Sequence, residues 1–254
     1  MRKTALIASF VALAAPASAF AAEPYVAISG GVALPGDSMN EGAFDVTVPA
    51  TPDWGAIPAD TSLEWKTEFD TGYAISGQIG MRYSNGLRTE LDLSYTSADV
   101  DTHSGLAAGG AVIDGVDVAV LTRGAPGAAN PTVGAVIADG QGRVKTLGAF
   151  VNGFYDFNVG GGISPFVGAG IGYQQVDVVF RPSGVLVADD KDSGFAWQLM
   201  AGANVSVSES AEIFLQYTYR ESFDRADIEL TLLPATLGVE SGGSALAAGV
   251  RFSL

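Results

Sequence analysis

From Phe69 to Tyr83 the chain alternates with a period of two. Phe69, Thr71, Tyr73, Ile75, Gly77, Ile79, Met81 and Tyr83 fall on one side. Asp70, Gly72, Ala74, Ser76, Gln78, Gly80 and Arg82 fall between them, with no large apolar residue. Successive side chains of a strand point to opposite faces, so this segment predicts a strand with one greasy and one small or polar face. Ser84-Asn85-Gly86 then reads as a tight turn. The next segment repeats the pattern, with Leu87, Leu91, Leu93 and Tyr95 against Arg88, Glu90, Asp92 and Ser94. A soluble sandwich and a membrane barrel both produce such alternation.

The spacing of the strands separates the two. Eight strands are predicted near 24–34, 67–83, 87–96, 144–157, 164–176, 194–205, 212–220 and 244–254. The connections run long, short, long, short, long, short, long. The short ones are Ser84–Gly86, Asn158–Ile163 and Ser206–Ala211; the long ones are residues 35–66, 97–143, 177–193 and 221–243. An even strand number with short turns on one side and long loops on the other is the pattern of a transmembrane barrel with periplasmic turns and extracellular loops. The expected fold is therefore all-β: an eight-stranded antiparallel up-and-down transmembrane barrel with four long extracellular loops. Apolar segments Ala111–Leu121, Thr132–Ala138 and Ile228–Leu233 inside those loops extend strand pairs above the membrane, or close a ten-stranded ring instead. The first loop, with Pro49, Pro52 and Pro58 around Trp54, is expected to be irregular and mobile.

Export fits this reading. Arg2 and Lys3 precede an apolar run from Ala5 to Ala15, followed by Pro16 and small residues at Ala17-Ser18-Ala19 and Ala19-Phe20-Ala21. Residues 1–21 thus read as a secretory signal peptide, cleaved after Ala19 or Ala21, with 22–254 forming the barrel domain. Beyond residue 22 no run of 18 apolar residues offers a spanning helix. The absence of cysteine and the single histidine, His103, remove thiolate sites and leave little for a histidine cluster. A net charge of -15 gives no basic surplus for nucleic acid.

With strands running alternately up and down, Phe69, Tyr73, Tyr95, Tyr173, Phe195, Trp197 and Tyr219 lie near the extracellular end of the outward register. Tyr83, Tyr155, Phe157 and Phe252 lie near the periplasmic end. Two such rings are the interfacial girdles of a barrel in lipid. In the first strand, Val26, Ile28, Val32 and Leu34 face lipid only if Tyr25 turns inward. Inside, Arg82, Arg88 and Arg251 share the periplasmic half with Glu90, Asp156 and Glu212. Because an eight-stranded barrel is only wide enough for side chains, these six are expected to pair and plug the lumen. Gly168, Gly170 and Gly172 are expected to leave room for the long arginines opposite.

Several motifs carry a family resemblance: Gly72-Tyr73, Arg88-Thr89-Glu90-Leu91, Asn152-Gly153-Phe154-Tyr155-Asp156-Phe157, Ser164-Pro165-Phe166-Val167-Gly168-Ala169-Gly170-Ile171-Gly172-Tyr173, Phe195-Ala196-Trp197-Gln198 and Gly249-Val250-Arg251-Phe252. Through them the chain resembles the small outer-membrane β-barrel family that includes opacity proteins and the transmembrane domain of the OmpA type. It is also similar to surface antigens of rickettsia-like bacteria. The resemblance covers the strands and little of the loops. It implies integral insertion into a bacterial outer membrane through the barrel-assembly machinery. Members usually end in an aromatic residue which that machinery reads, whereas this chain ends Phe252-Ser253-Leu254.

Motifs with chemical potential are outweighed by plainer readings. Gly168-Ala169-Gly170-Ile171-Gly172 lacks the helix whose N-terminus a phosphate loop needs. Asp101-Thr102-His103-Ser104 brings triad residue types together, but hydrolase triads are assembled from distant segments, so an exposed polar loop is expected. Asp189-Asp190-Lys191-Asp192 lacks the spacing of a calcium loop and reads as a solvated acidic tip. No cofactor and no metal site is expected.

Most of the 28 acidic residues lie in the four long connections, among few cations such as Lys66, Arg123, Arg181, Lys191 and Arg225. Such a surface repels anionic lipopolysaccharide unless Mg²⁺ or Ca²⁺ bridges them, or it faces a cationic partner. The expected function is a non-enzymatic outer-membrane barrel presenting acidic loops for surface interaction, adhesion or envelope integrity. The alternatives are a narrow pore for water, ions or small solutes and, through His103 alone, a lipid-modifying enzyme.

Overall fold

The computed structural model describes residues 22–160 and 162–254, so the expected signal peptide lies outside the described residues. Strands β1 (Ala22–Pro35), β2 (Ser38–Phe44), β3 (Ser62–Phe69), β4 (Gly72–Tyr83), β5 (Leu87–Ala108) and β6 (Ala111–Val112) come first. Two short helices follow, α1 (Ala119–Thr122) and α2 (Val133–Ile137). Then come β7 (Gly142–Asp156), β8 (Ile163–Phe180), β9 (Ala188–Ser206), β10 (Ala211–Ser222), β11 (Ala226–Glu229), β12 (Ala235–Val239) and β13 (Gly242–Ser253).

Eight of these strands close a ring. Each of β1, β4, β5, β7, β8, β9, β10 and β13 pairs antiparallel with the next, and β13 returns to β1 from Tyr25↔Ser253 to Pro35↔Gly243. Closure leaves no sheet edge, the condition for strands to cross hydrocarbon. The ten-stranded alternative does not form, because β2, β3, β11 and β12 belong to a separate upper arm ordered β11-β12-β2-β3-β5.

Burial follows the pleat. In β5 Leu87, Leu91 and Leu93 are exposed while Arg88, Glu90, Asp92 and Ser94 are buried, the inverse of a soluble protein. In β1 Tyr25 turns inward, at 2% exposure, and Val26, Ile28, Val32 and Leu34 face out. Single spin labels along 72–83 should therefore alternate, residue by residue, between lipid-soluble and polar quenchers. A period near 3.6 would contradict the barrel.

About ten residues of a tilted strand cross a bilayer. The 22 residues of β5, 18 of β8 and 19 of β9 therefore rise well above it on the long-loop side. There they join the upper arm to form a cap with its own apolar core, which includes Phe44, Leu63, Trp65, Val178, Phe180, Ile228 and Leu237.

Four sequence expectations are corrected by this cap. The expected strand 67–83 is broken at Asp70-Thr71: β3 pairs Phe69 with Val100, and β4 pairs Tyr73 with Ser97. Four steps on one side match three on the other, and one extra residue reverses the facing of everything beyond it. Phe69 accordingly packs against the cap core and not in the lipid girdle. Residues 111–138 contribute one short strand and the two helices rather than extended strand pairs; Thr132 caps α2, its side chain accepting from Ala135 N at 3.3 Å. The proline-rich first loop is tied down, since Trp54 Nε1 donates to Gly124 O at 2.6 Å and Val48 bridges Ile57. The Asp189–Asp192 segment is strand, not tip. Asp190 and Asp192 accept from the backbone N–H groups of Glu229 and Asp227, each at 3.1 Å, fastening β9 to β11.

Candidate functional site

Two regions concentrate polar chemistry: the barrel lumen and the cap. In the periplasmic half of the lumen the six charged residues singled out by the strand register stand in one connected network. Arg82 lies fork-to-fork on Glu212, with Nη1 and Nη2 donating to Oε1 and Oε2 at 2.8 and 2.6 Å. Arg88 donates to both Asp156 oxygens at 3.2 and 3.3 Å, and to Glu90 at 3.1 Å. Arg251 bonds Glu212 at 3.1 Å and Asn204 at 2.8 Å. Bidentate contacts of this kind are the strong form of ion pair. The inward Tyr25 hydroxyl donates to Glu90 at 2.8 Å.

The glycine stripe of β8 has a different role from the one expected. A Cβ at Gly168 would run into the Phe154 ring, at Gly170 into the Asn152 amide, and at Gly172 into the Phe150 ring. The missing side chains make room for neighbours on β7, and the cations then stack on those rings. The Arg88 guanidinium lies 4.0 Å from the Phe154 centroid, and that of Arg220 lies 4.0 Å from Phe150. Phe154, Phe166 and Phe214 fill the remaining width. Rings that receive cations on their faces add attraction in a desolvated site.

One layer of the lumen was missed from sequence. Arg220 donates to Gln198 Oε1 through Nε at 3.0 Å and Nη2 at 2.8 Å, and to Ser94 at 2.9 Å, with Asp92 at 4.0 Å. Gln198 in turn donates to Asn152, which donates to Glu90. The signal was present, since Arg220 shares the inward register of Glu212. Above this layer the lumen opens into a cavity of about 130 Å³ lined by Ser29, Ser76, Thr96, Gln174 and Thr218, among others.

On the outer surface, the aromatics other than Phe69 occupy the outward register at two levels. Tyr73 packs on Tyr95, Tyr173 on Phe195 and Trp197 on Tyr219 toward the cap, with ring centroids 6.0, 5.3 and 5.6 Å apart. Tyr155 packs on Phe157 at 4.9 Å toward the short turns, where Phe252 is exposed and Tyr83 half-buried.

In the cap, cations serve local acids. Lys66 lies 2.7 Å from both Asp37 and Glu68, which push its ammonium up to about 12. Arg225 spans Glu41 and Glu240 at 2.5 and 2.8 Å. Most other carboxylates are left to face solvent.

His103 does not lie in an exposed loop. It is 4% exposed on the upper part of β5, wedged against Trp65 and Phe180, with Asp101 and Ser104 on the opposite, exposed face. Its Nδ1 lies 2.8 Å from Thr67 Oγ1. Burial lowers its pKa to about 4. An unfolded histidine titrates near 6.5, so the folded cap binds fewer protons between those values. Cap stability should be full above about pH 6.5 and fall as pH drops toward about 4. Amide protection factors of β3 and upper β5, with the intrinsic pH dependence of exchange divided out, should fall over that window in the parent and less in His103→Gln; parallel behaviour of the two would contradict the assignment to His103.

The sequence profile of the outer membrane protein beta-barrel domain family matches residues 4–252. A curated relative described as "Outer membrane protein", from Gluconacetobacter diazotrophicus, is 24% identical over 235 residues, covering 86% of this chain and 52% of that protein. The chain thus spans about half the length of the curated relative it matches. Among solved structures, the outer membrane protein OprG from Pseudomonas aeruginosa is 12% identical, with 91% and 97% of the two chains covered and a TM-score of 0.48. Neisserial surface protein A is 14% identical, with 92% and 99% covered and a TM-score of 0.44.

Proposed function

The chain belongs to the outer membrane protein β-barrel domain family, and we propose that it acts there as a non-enzymatic anchor whose barrel holds a folded, acidic cap outside the cell for surface interaction. The carrying observation is the lumen network: Arg82, Arg88 and Arg251 are bonded to Glu90, Asp156 and Glu212 across the barrel's periplasmic half. A lumen filled this way favours a scaffold over a conduit. Function on rigid scaffolds commonly resides in what the scaffold presents, here the cap.

Outer-membrane lipids surround the girdles, and the barrel-assembly machinery is the proposed insertion partner. The acidic cap meets anionic lipopolysaccharide through bridging Mg²⁺ or Ca²⁺, and its extracellular partner carries complementary positive charge. The second reading, a narrow pore, is favoured by the polar cavity above the network.

Cells carrying the full protein are compared with cells carrying a form whose four long connections are shortened. Binding to cationic surfaces should fall with small-solute permeability unchanged. Changed permeability with unchanged binding would favour the pore. A lipid A acyl pattern that depends on the protein and reverts in His103→Ala would favour the enzyme.

A further inference from the structure

The chain's 13 lysines and arginines face 28 acids, so a cation without a partner is unexpected. Arg82, Arg88, Arg220 and Arg251 are bonded in the lumen. Lys66 and Arg225 are paired with acids in the cap, and Arg123 is held by the carbonyls of Pro49, Trp54 and Gly55. Among the described residues, that leaves Arg143, Lys145, Arg181 and Lys191 with no ion pair and no side-chain hydrogen bond. All four lie on neighbouring strands: Arg143 and Lys145 on β7, Arg181 directly after β8, and Lys191 on β9.

Register sets these strands' cations on one outer face. Arg143 and Lys145 share the parity of exposed Leu147 and Val151, and Lys191 that of exposed Phe195 and Leu199. Lys145 pairs with Asp177 and Asp177 with Lys191, so the two lysines stand two strands, about 10 Å, apart. Arg143 is the next outward residue on β7, about 7 Å from Lys145. The exposed Arg181 continues the wall, its backbone N–H donating to Gln141 O at 2.6 Å. The inward residues Val176, Val178, Phe180 and Ala188 are buried in the cap core, which backs the wall. On the opposite wall, β1, β4, β10 and β13 turn no cation outward; their upper ends carry Leu34, Tyr73, Glu221 and Ser244.

The height is that of lipid headgroups. Lys145 follows Leu147, the last apolar outward residue of β7, which stands beside Tyr95. Lys191 lies two outward positions above Phe195, which packs on Tyr173. Aromatic girdles mark the edge of the hydrocarbon, and two outward positions on a tilted strand rise about 10 Å, into the polar layer. Long cationic side chains lay their stems along the apolar surface and hold their heads in that layer. Asp99 pairs in register with Arg143, Asp177 with both lysines and Asp189 with Val179, yet none closes to ion-pair distance. The face is a chequer of charges, so an anion gains where its own charges fall on the cationic points.

From this unpaired quartet at headgroup height, we propose that the outer wall of β7, β8 and β9 docks a multiply phosphorylated glycolipid of the outer leaflet, its phosphates held directly by Arg143, Lys145, Arg181 and Lys191. A guanidinium takes a phosphate by two parallel bonds, and an ammonium takes it as a point charge. The contact needs no bridging metal ion, unlike the meeting of lipopolysaccharide with the acidic remainder of the cap. It holds whether the barrel is an anchor or a pore.

The test mixes the full protein, in an uncharged detergent with EDTA, with lipopolysaccharide and measures the glycolipid retained after gel filtration. The parent should retain it. Lipopolysaccharide stripped of its phosphates, and phosphatidylglycerol, should each be retained about tenfold less. Arg143→Gln with Lys145→Gln and Lys191→Gln should weaken retention by about tenfold or more, since each cation near a lipid surface adds its own attraction. Lys66→Gln with Arg225→Gln, which removes two cap cations already paired with acids, should leave retention unchanged. Circular dichroism confirms that each variant is folded. Equal retention by the triple variant and the parent would overturn the wall as the site. Equal retention of the phosphate-free glycolipid or of phosphatidylglycerol would overturn the ligand. Retention that appears in Mg²⁺ and vanishes in EDTA would overturn direct contact.

Discussion

Arg88→Met should lower the unfolding free energy by about 3–5 kcal/mol, the usual cost of removing one partner from a buried ion-pair cluster. The Arg88 side chain is fully buried, and its loss strands two carboxylates at once. Asp156 would keep only a 3.5 Å approach from Arg82, and Glu90 only Tyr25 and Asn152. The stacking on Phe154 would vanish as well. A triple variant, Arg88→Met with Glu90→Gln and Asp156→Asn, should recover most of the loss, because replacing a whole buried cluster by neutral groups is often close to neutral. Urea unfolding in lipid vesicles, followed by tryptophan fluorescence, reads both. An Arg88→Met protein within about 1 kcal/mol of the parent would contradict a paired, desolvated network.

Leu91→Arg should cost about 2–4 kcal/mol, because it places a cation on the lipid face near the midplane. Leu91 is exposed on β5 at the level of Ile79 and Val151, both also exposed. Leu87→Arg, at the first residue of β5 beside the short turn, should cost only about 0–1 kcal/mol, since the penalty falls toward the interface. The same unfolding measurement distinguishes them. Equal costs at both positions would mean that β5 does not cross hydrocarbon where the register puts it.

The barrel was legible in the sequence because period-two alternation is a local signal and the loop lengths are one-sided. The turn Ser84–Gly86 illustrates this: Gly86 has φ +86°, and a Cβ there would meet Asp156 O at 2.9 Å. The lumen network was legible for the same reason, since register alone puts Arg82, Arg88 and Arg251 inside. The cap was not. Its core draws Phe44, Trp65, Ile228 and Leu237 from segments far apart in the chain, each too short to show a period. Phe69 was misplaced because a bulge shifts facing without leaving a trace in the alternation. His103 read as a loop residue because its burial comes from Trp65 and Phe180, distant contributors that no spacing rule connects. The inward rings of Phe150 and Phe154 over glycines on β8 depend likewise on cross-strand register, which pairs Phe154 with Gly168 and Phe150 with Gly172.

Single-channel recording in a planar bilayer tests the central claim, a barrel closed by its own paired side chains. Arg82, Arg88 and Arg251 with their carboxylates, and Phe154, Phe166 and Phe214 beside them, occupy the periplasmic half, and no continuous water path is expected there. The purified protein should show no large, stable current, with at most small and rare openings as the arginines rearrange. Large, long-lived openings whose ion selectivity changes in Arg88→Ala would contradict the account and establish the lumen as a pore.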